Sequence, residues 1–192
     1  MGLQISASSC LLILAVAAAA SAAAAVAPPA KPDTALIQKV CRATKYYGLC
    51  LSTLKSDPSS SRADPRGLAS ISLAAALANA TSASSFLSSL ALGASCGGSC
   101  GDPALSRLLL DCADKYGLAG DALRASALDV AAEAYDYAYV HAMAAEDYPS
   151  ACRDAFRRSP AGTAYPPELA RREDGLKRIC DVVLGIIEFL GS

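Results

Sequence analysis

The chain has no tryptophan and one histidine, and its first thirty residues carry no charged side chain. A single histidine, His141, narrows the catalytic options. A Ser-His-Asp or Cys-His arrangement needs that one ring within hydrogen-bond reach of a nucleophile. His141 falls on the seam of a predicted helix, where a half-buried structural ring is the expected role. A phosphate-cradling loop is missing too. The Gly-rich stretch "GASCGGSC" (93–100) has no preceding strand and no lysine. Neither sign of charge dominates: 17 Lys and Arg face 18 Asp and Glu, for a formal net charge of −1. No basic face is implied, and a nucleic-acid partner is excluded. No segment alternates apolar and polar residues well enough for a sheet. No apolar run is long enough to span a bilayer: "CLLILAVAAAA" (10–20) has eleven residues, and "VVLGII" (182–187) ends at Glu188. The acidic residues Asp111, Asp114, Asp129, Glu133, Asp136, Glu146 and Asp147 are scattered. A glycosidase needs two carboxylates facing across a cleft, and a tight bundle with alanine seams offers none. No catalytic residue is assigned.

What is present is cysteine, eight in all. The short apolar run is followed by "SAAAAVAPPA" (21–30), small-residue sequence suited to signal peptidase. Residues 1–27 therefore read as a cleaved signal peptide, cut near Ala25 or a few residues later. The rival reading, a signal anchor, needs a more hydrophobic flank. Cleavage removes Cys10 and leaves seven cysteines in a mature chain of about 165 residues, 28–192, enough for one domain with a sizeable core. The route is oxidising, so the cysteines are expected as disulfides. Cys96-x3-Cys100-x11-Cys112 superficially offers thiolates to a metal, but secretion favours disulfides over zinc. No metal and no cofactor are expected. Cys96 and Cys100 can close a small loop, leaving Cys180 alone beside Ile179 on an apolar stripe. There it reads as a small buried hydrophobe, with an intermolecular bridge as the alternative.

"PPAKPD" (28–33) is a Pro-rich lead-in. Asp33 and Thr34 can cap a helix through "ALIQKVCRAT", and Gly48 marks a turn toward a second short helix near "LCLSTL". "SDPSSSRADPRG" (56–67) reads as a polar loop. Asp64-Pro65 and Asp102-Pro103 each place a capping carboxylate before a proline at the first helical position. Leu68, Ile71, Ala75 and Ala78 follow the first; Leu105, Leu108 or Leu109, Cys112 and Tyr116 follow the second. Gly120-Asp121 reads as the start of a third long helix, with Leu123, Ala127, Val130, Ala134, Tyr137, His141 and Ala144 as its seam and Pro149 as its end. After "SPAGTAYPP", Leu169, Arg172, Leu176, Ile179, Val183, Ile186 and Leu190 keep 3-4 spacing. The expected fold is all-α. An antiparallel (up-down-up-down) four-helix bundle (64–192) carries an N-terminal helical hairpin (31–58) and is stapled by disulfides.

Taken together, Cys41-x8-Cys50, "LLLDCADKY" (108–116), "YDYAYVHAMAAEDYPSACRDAF" (135–156) and "LKRICDVVLGII" (176–187) have a familiar order and spacing. The chain resembles the plant invertase and pectin methylesterase inhibitor family over essentially its whole mature length. The resemblance implies a secreted four-helix bundle with an N-terminal hairpin and the disulfides Cys41–Cys50 and Cys112–Cys152. It also implies that Cys180 is the unpaired fifth cysteine. The Cys96–Cys100 insertion departs from the usual pattern, and His141 stands where members often carry an aromatic residue.

The function implied is steric: helices pack over an enzyme's carbohydrate cleft, and the inhibitor performs no chemistry. Invertase inhibitors of the family often carry Pro-Lys-Phe shortly before the fourth cysteine. Here Tyr135-Asp136-Tyr137 occupies that place, which resembles the pectin methylesterase inhibitors and lacks the lysine. The expected partner is pectin methylesterase, with acid invertase as the alternative, in a 1:1 complex of a monomer. Candidate contacts are Asp111, Asp114, Asp129, Glu133, Tyr135, Asp136 and Tyr139. Tyr135 and Tyr139, one helical turn apart, either pack against a neighbouring helix or form a recognition patch, since tyrosine is favoured at interfaces. Tyr137 is expected in the core. The expected destination is extracellular, in the apoplast or cell wall, with the vacuole as an alternative. The rivals are a secreted lipid-binding protein and a helical binding or structural protein with no enzyme target. Plant lipid-transfer proteins use adjacent Cys-Cys and Cys-x-Cys pairs, and neither occurs here.

Overall fold

A computed structural model describes residues 34–96, 102–159 and 163–192; of Ser95 and Cys96 it describes the backbone alone. Among them every regular element is helical: α1 (Thr34–Arg42), α2 (Tyr47–Ser56), a short 3₁₀ turn (Pro58–Arg62), α3 (Pro65–Cys96), α4 (Pro103–Ala131), α5 (Tyr135–Arg158) and α6 (Pro167–Gly191). The four long helices hold 32, 29, 24 and 25 residues, which is roughly 36 to 48 Å of rod each. α3 packs on α4 and α6, and α5 packs on the same two. Short connections between consecutive members make this ring of four antiparallel. The edge between α3 and α6 thus lies opposite the edge between α4 and α5. The hairpin of α1 and α2 packs against α3 and α6.

The two Asp-Pro helix starts form as the sequence indicates. Asp102 Oδ1 accepts from the amides of Ala104 at 2.9 Å and Leu105 at 3.0 Å, and Asp64 Oδ1 accepts from the Gly67 amide at 2.8 Å. Alanine dominates the inward face of α3, where Ala69, Ala76, Ala80, Ala83 and Ala91 alternate with buried leucines. Such small side chains let the rods come close enough for serines to bond the neighbouring backbone. Ser84 Oγ donates to the Ala113 carbonyl at 2.9 Å, Ser106 Oγ to Ala91 at 3.0 Å, and Ser126 Oγ to Ala138 at 2.8 Å.

Disulfides join Cys41 to Cys50 within the hairpin and Cys112 on α4 to Cys152 on α5. All four cysteines are fully buried. Closing loops of 9 and 40 residues stabilises the fold by about 3 and about 4 kcal/mol in the chain-entropy account. Cys180 is free and buried. Residues 1–33, 97–101 and 160–162 lie outside the described residues, and with them the expected leader, Asp33, Cys100 and so the expected Cys96–Cys100 bridge.

The hairpin sits on α6 by way of a glycine. A β-carbon at Gly185 would stand 2.8 Å from Thr44 Cα and 2.9 Å from the Ala43 carbonyl oxygen. These are backbone atoms and cannot swing aside. Lys45 Nζ completes the seat with a 3.0 Å ion pair to Asp181 on α6. Gly185→Ala should therefore lower stability by about 1–3 kcal/mol through overpacking. Gly117→Ala, where nothing lies within 4 Å of the new methyl, should gain about 0.5–1 kcal/mol from helix propensity. Equal and small effects of the two in urea unfolding would remove the argument for close hairpin docking.

Several boundaries differ from the sequence expectation. Gly48 lies inside α2, not in a turn before it, and α4 continues through Gly117 and Gly120 to Ala131. Gly120 is buried, 3.4 Å from Leu77 Cδ1 if given a β-carbon; it serves a close helix crossing and not a helix start. Pro149 is buried inside α5 and does not end it. The real break is Ala132–Ala134. There Ala134 N–H donates to the Asp129 carbonyl at 2.9 Å and Glu133 N–H to Val130 at 3.2 Å, while Glu133 adopts φ 61°. This is a Schellman closure with glutamate in the left-handed position that glycine usually takes. The break resets the helical phase. α5 buries Ala138, Ala142, Ala145, Pro149, Cys152 and Phe156, and Tyr137, expected in the core, is 69% exposed.

Candidate interaction surface

The α4–α5 junction gathers most of the candidate residues. Glu133 is exposed at the turn and pairs with Arg66 of α3 at 2.5 Å. Asp129, in the last turn of α4, accepts from or pairs with His141 Nδ1 at 2.6 Å, so this contact ties α4 to α5 just behind the turn. Asp136 is exposed in the first turn of α5. Tyr135 and Tyr139 are half-buried against the core. Burial first, then the charge of Glu188, pushes the Tyr139 phenol above its ordinary range. Two shallow clefts of about 310 and 320 Å³ lie here, and Tyr135, Asp136 and Gly191 line both.

Asp111 and Asp114 are exposed but not part of this group. Fifteen residues separate Asp114 from Asp129 on α4, roughly 23 Å of helix. The seven candidates thus divide between two places. The reading from sequence also missed three large apolar side chains at the junction end: Leu128 at 72% exposed, Tyr137 at 69% and Val140 at 60%. Tyr137 and Val140 are i and i+3 on α5 and share one helical face. Only correct phasing of α5 could have found them.

The remaining polar chemistry is structural. Glu173 on α6 is 1% exposed. It accepts from Arg153 Nε at 2.8 Å and the Tyr165 hydroxyl at 2.9 Å, and pairs with Lys177 Nζ at 3.3 Å. Burial, and then its neighbour Tyr116, lifts the Tyr165 phenol well above its usual value. Burial likewise holds the Cys180 thiol neutral, pushed up to about 12. Cys180 is inert, and its depth leaves no surface for an intermolecular bridge. His141 meets Asp129, and Cys112 and Cys152 are spent in a disulfide. No three His, Cys, Asp or Glu side chains converge on a metal site among the described residues. No helix among them is long and apolar enough to cross a membrane.

These features define a disulfide-stapled helical bundle that presents an acidic and aromatic end, with no catalytic constellation among the described residues. The family model described as plant invertase/pectin methylesterase inhibitor matches residues 35–186, and the chain belongs to that family, whose members are enzyme inhibitors and not enzymes. It is 46% identical over 157 residues to the cell wall / vacuolar inhibitor of fructosidase 2 of Arabidopsis thaliana, covering 82% of this chain and 84% of that one. Over 174 residues it is 44% identical to pectinesterase inhibitor 28 of Oryza sativa subsp. japonica, covering 86% and 76%. Among solved structures, a mutant form of a pectin methylesterase inhibitor from Arabidopsis superimposes with a TM-score of 0.61 at 22% identity, over 79% of this chain and 95% of that one. A second pectin methylesterase inhibitor structure, from Arabidopsis thaliana, gives 0.56 at 23%, over 82% and 97%. Both share the fold.

Proposed function

We propose that this chain is a secreted protein inhibitor of pectin methylesterase that stands over the enzyme's carbohydrate cleft and excludes pectin. Residues 1–27 act as the cleaved leader, 28–192 form the inhibitor, and the apoplast is the destination. The observation that carries the choice of target is at the start of α5. Where family invertase inhibitors often present Pro-Lys-Phe, this chain presents Tyr135-Asp136-Tyr137, with Asp136 and Tyr137 open to solvent. The bundle meets its target as a rigid body. Leu128, Tyr137 and Val140 supply apolar area, and Glu133 and Asp136 supply an acidic rim suited to a basic partner surface. Tyr135 and Tyr139 support that surface from behind; Asp111 and Asp114 are peripheral to it. The complex is 1:1 with a monomeric inhibitor.

Acid invertase is the second reading, favoured by the 46% identity to a fructosidase inhibitor. Titration of the purified protein against each enzyme at mildly acidic pH decides between them. The expected result is saturable loss of pectin methylesterase activity at one equivalent. Tyr137→Ala should weaken it about 30-fold, or about 2 kcal/mol, with the unfolding midpoint unchanged because the ring is mostly in solvent. Inhibition of invertase alone overturns the choice of target, and inhibition of neither overturns the inhibitor reading.

A further inference from the structure

The chain contains a single asparagine, Asn79, and it opens the triplet Asn79-Ala80-Thr81. Asn-x-Thr with a residue other than proline between is the acceptor pattern for N-linked glycan in proteins that pass through the secretory route. A triplet of this kind is useful only if the folded protein has room for a glycan at that nitrogen. Here it does. Asn79 sits mid-way along α3 on its α6 side, half-exposed, and lines two open grooves of about 450 and 350 Å³. Thr53 of α2 and Arg171, Asp174 and Arg178 of α6 border the larger one beside the apolar Leu49 and Ile179, so its walls offer hydroxyl, guanidinium and carboxylate groups to sugar hydroxyls and apolar surface to the sugar rings. Asn79 Nδ2 lies 3.3 Å from where a β-carbon at Gly175 would stand, so glycine at that position of α6 spares the amide nitrogen a side-chain contact. Thr81 is exposed. Its substitution therefore tests the triplet without disturbing the core.

We infer that Asn79 carries an N-linked glycan that lies in the groove between α3 and α6, beside the hairpin. The inference rests on the secretory leader of the proposed function. The donor is an oligosaccharide on a lipid diphosphate. Its C1–oxygen bond to the diphosphate breaks, a C1–Nδ2 bond forms, and the amide proton leaves with the lipid diphosphate; nothing is oxidised or reduced. The consequence for function follows from the ring of helices. The α3–α6 edge is opposite the α4–α5 edge, so the glycan shields the hairpin side and leaves the junction free for the target.

The test is expression of the full chain, leader included, through the secretory pathway of plant cells, followed by intact-mass measurement of material from the medium. Wild type and Thr81→Ser should carry a glycan mass increment that an N-glycan amidase removes, converting Asn79 to Asp. Asn79→Gln and Thr81→Ala should lack it and inhibit the target as wild type does. A secreted, leader-cleaved wild-type chain without the increment overturns the glycan and leaves the secretion reading standing. A chain retained in the cell with its leader intact overturns both. A glycan whose removal changes inhibition severalfold contradicts its placement away from the target face.

Discussion

Replacing Cys112 and Cys152 together with alanine should lower the stability of the bundle by about 4 kcal/mol, the loop-closure value for a 40-residue span. The bridge joins α4 to α5 at a point where both residues are fully buried. Its loss therefore frees the unfolded chain and removes packing from the folded one. Serine in place of alanine should be worse, because two buried hydroxyls would need partners. The hairpin bridge should behave differently. Cys41→Ala with Cys50→Ala removes a nine-residue closure, and the damage should be confined to α1 and α2, seen as faster amide exchange there before global unfolding. Urea unfolding of the Cys112/Cys152 double variant checks the first claim. A loss below about 1 kcal/mol would mean that helix packing, not the covalent tie, holds this edge.

The next largest effect is expected at Glu173. Arg153→Ala should cost about 3 kcal/mol, because it strands a carboxylate that is 1% exposed with Lys177 and the Tyr165 hydroxyl as its remaining partners. Arg153 itself is half in solvent, so the penalty comes from the buried carboxylate, not from the loss of a surface charge. The double variant Arg153→Met with Glu173→Leu should recover much of that loss, since no buried charge is then left unpaired. A thermodynamic cycle over wild type, Arg153→Met, Glu173→Leu and the double variant gives the coupling directly. Additive effects would show that the two side chains do not act as a unit.

The sequence carried the fold where physics acts locally. Asp64-Pro65 and Asp102-Pro103 mark α3 and α4 because a carboxylate and a proline satisfy the first turn whatever lies further along the chain. The 3-4 pattern of α6 was legible through Leu169, Leu176, Ile179, Val183 and Ile186, all buried. It misplaced one position: Glu173 is buried and Arg172 half-exposed, because a carboxylate met by two cations and a phenol can occupy a core site that hydropathy denies it. The α4–α5 junction was not legible. Glycine and proline ordinarily end helices, yet Gly117 and Gly120 lie inside α4 and Pro149 inside α5, with Gly120 and Pro149 buried against their neighbours. The true break uses Glu133 where a glycine is usual, held by Asp129, Val130 and Arg66. Carrying the seam across that break turned α5 by one residue, and Tyr137 exchanged places with Ala138. The candidate site inherited the error. The carboxylates at the junction were identified, while Tyr137 beside them was assigned to the core and Leu128 and Val140 were passed over.

Amide hydrogen exchange on the purified inhibitor, free and saturated with pectin methylesterase, tests the central claim most directly. The account predicts slowed exchange in the last turn of α4 and through the first two turns of α5, around Leu128, Asp136, Tyr137 and Val140, with the α3–α6 edge unchanged. Protection of the hairpin and the groove at Asn79 instead, with the α4–α5 junction exchanging as in the free protein, would contradict it.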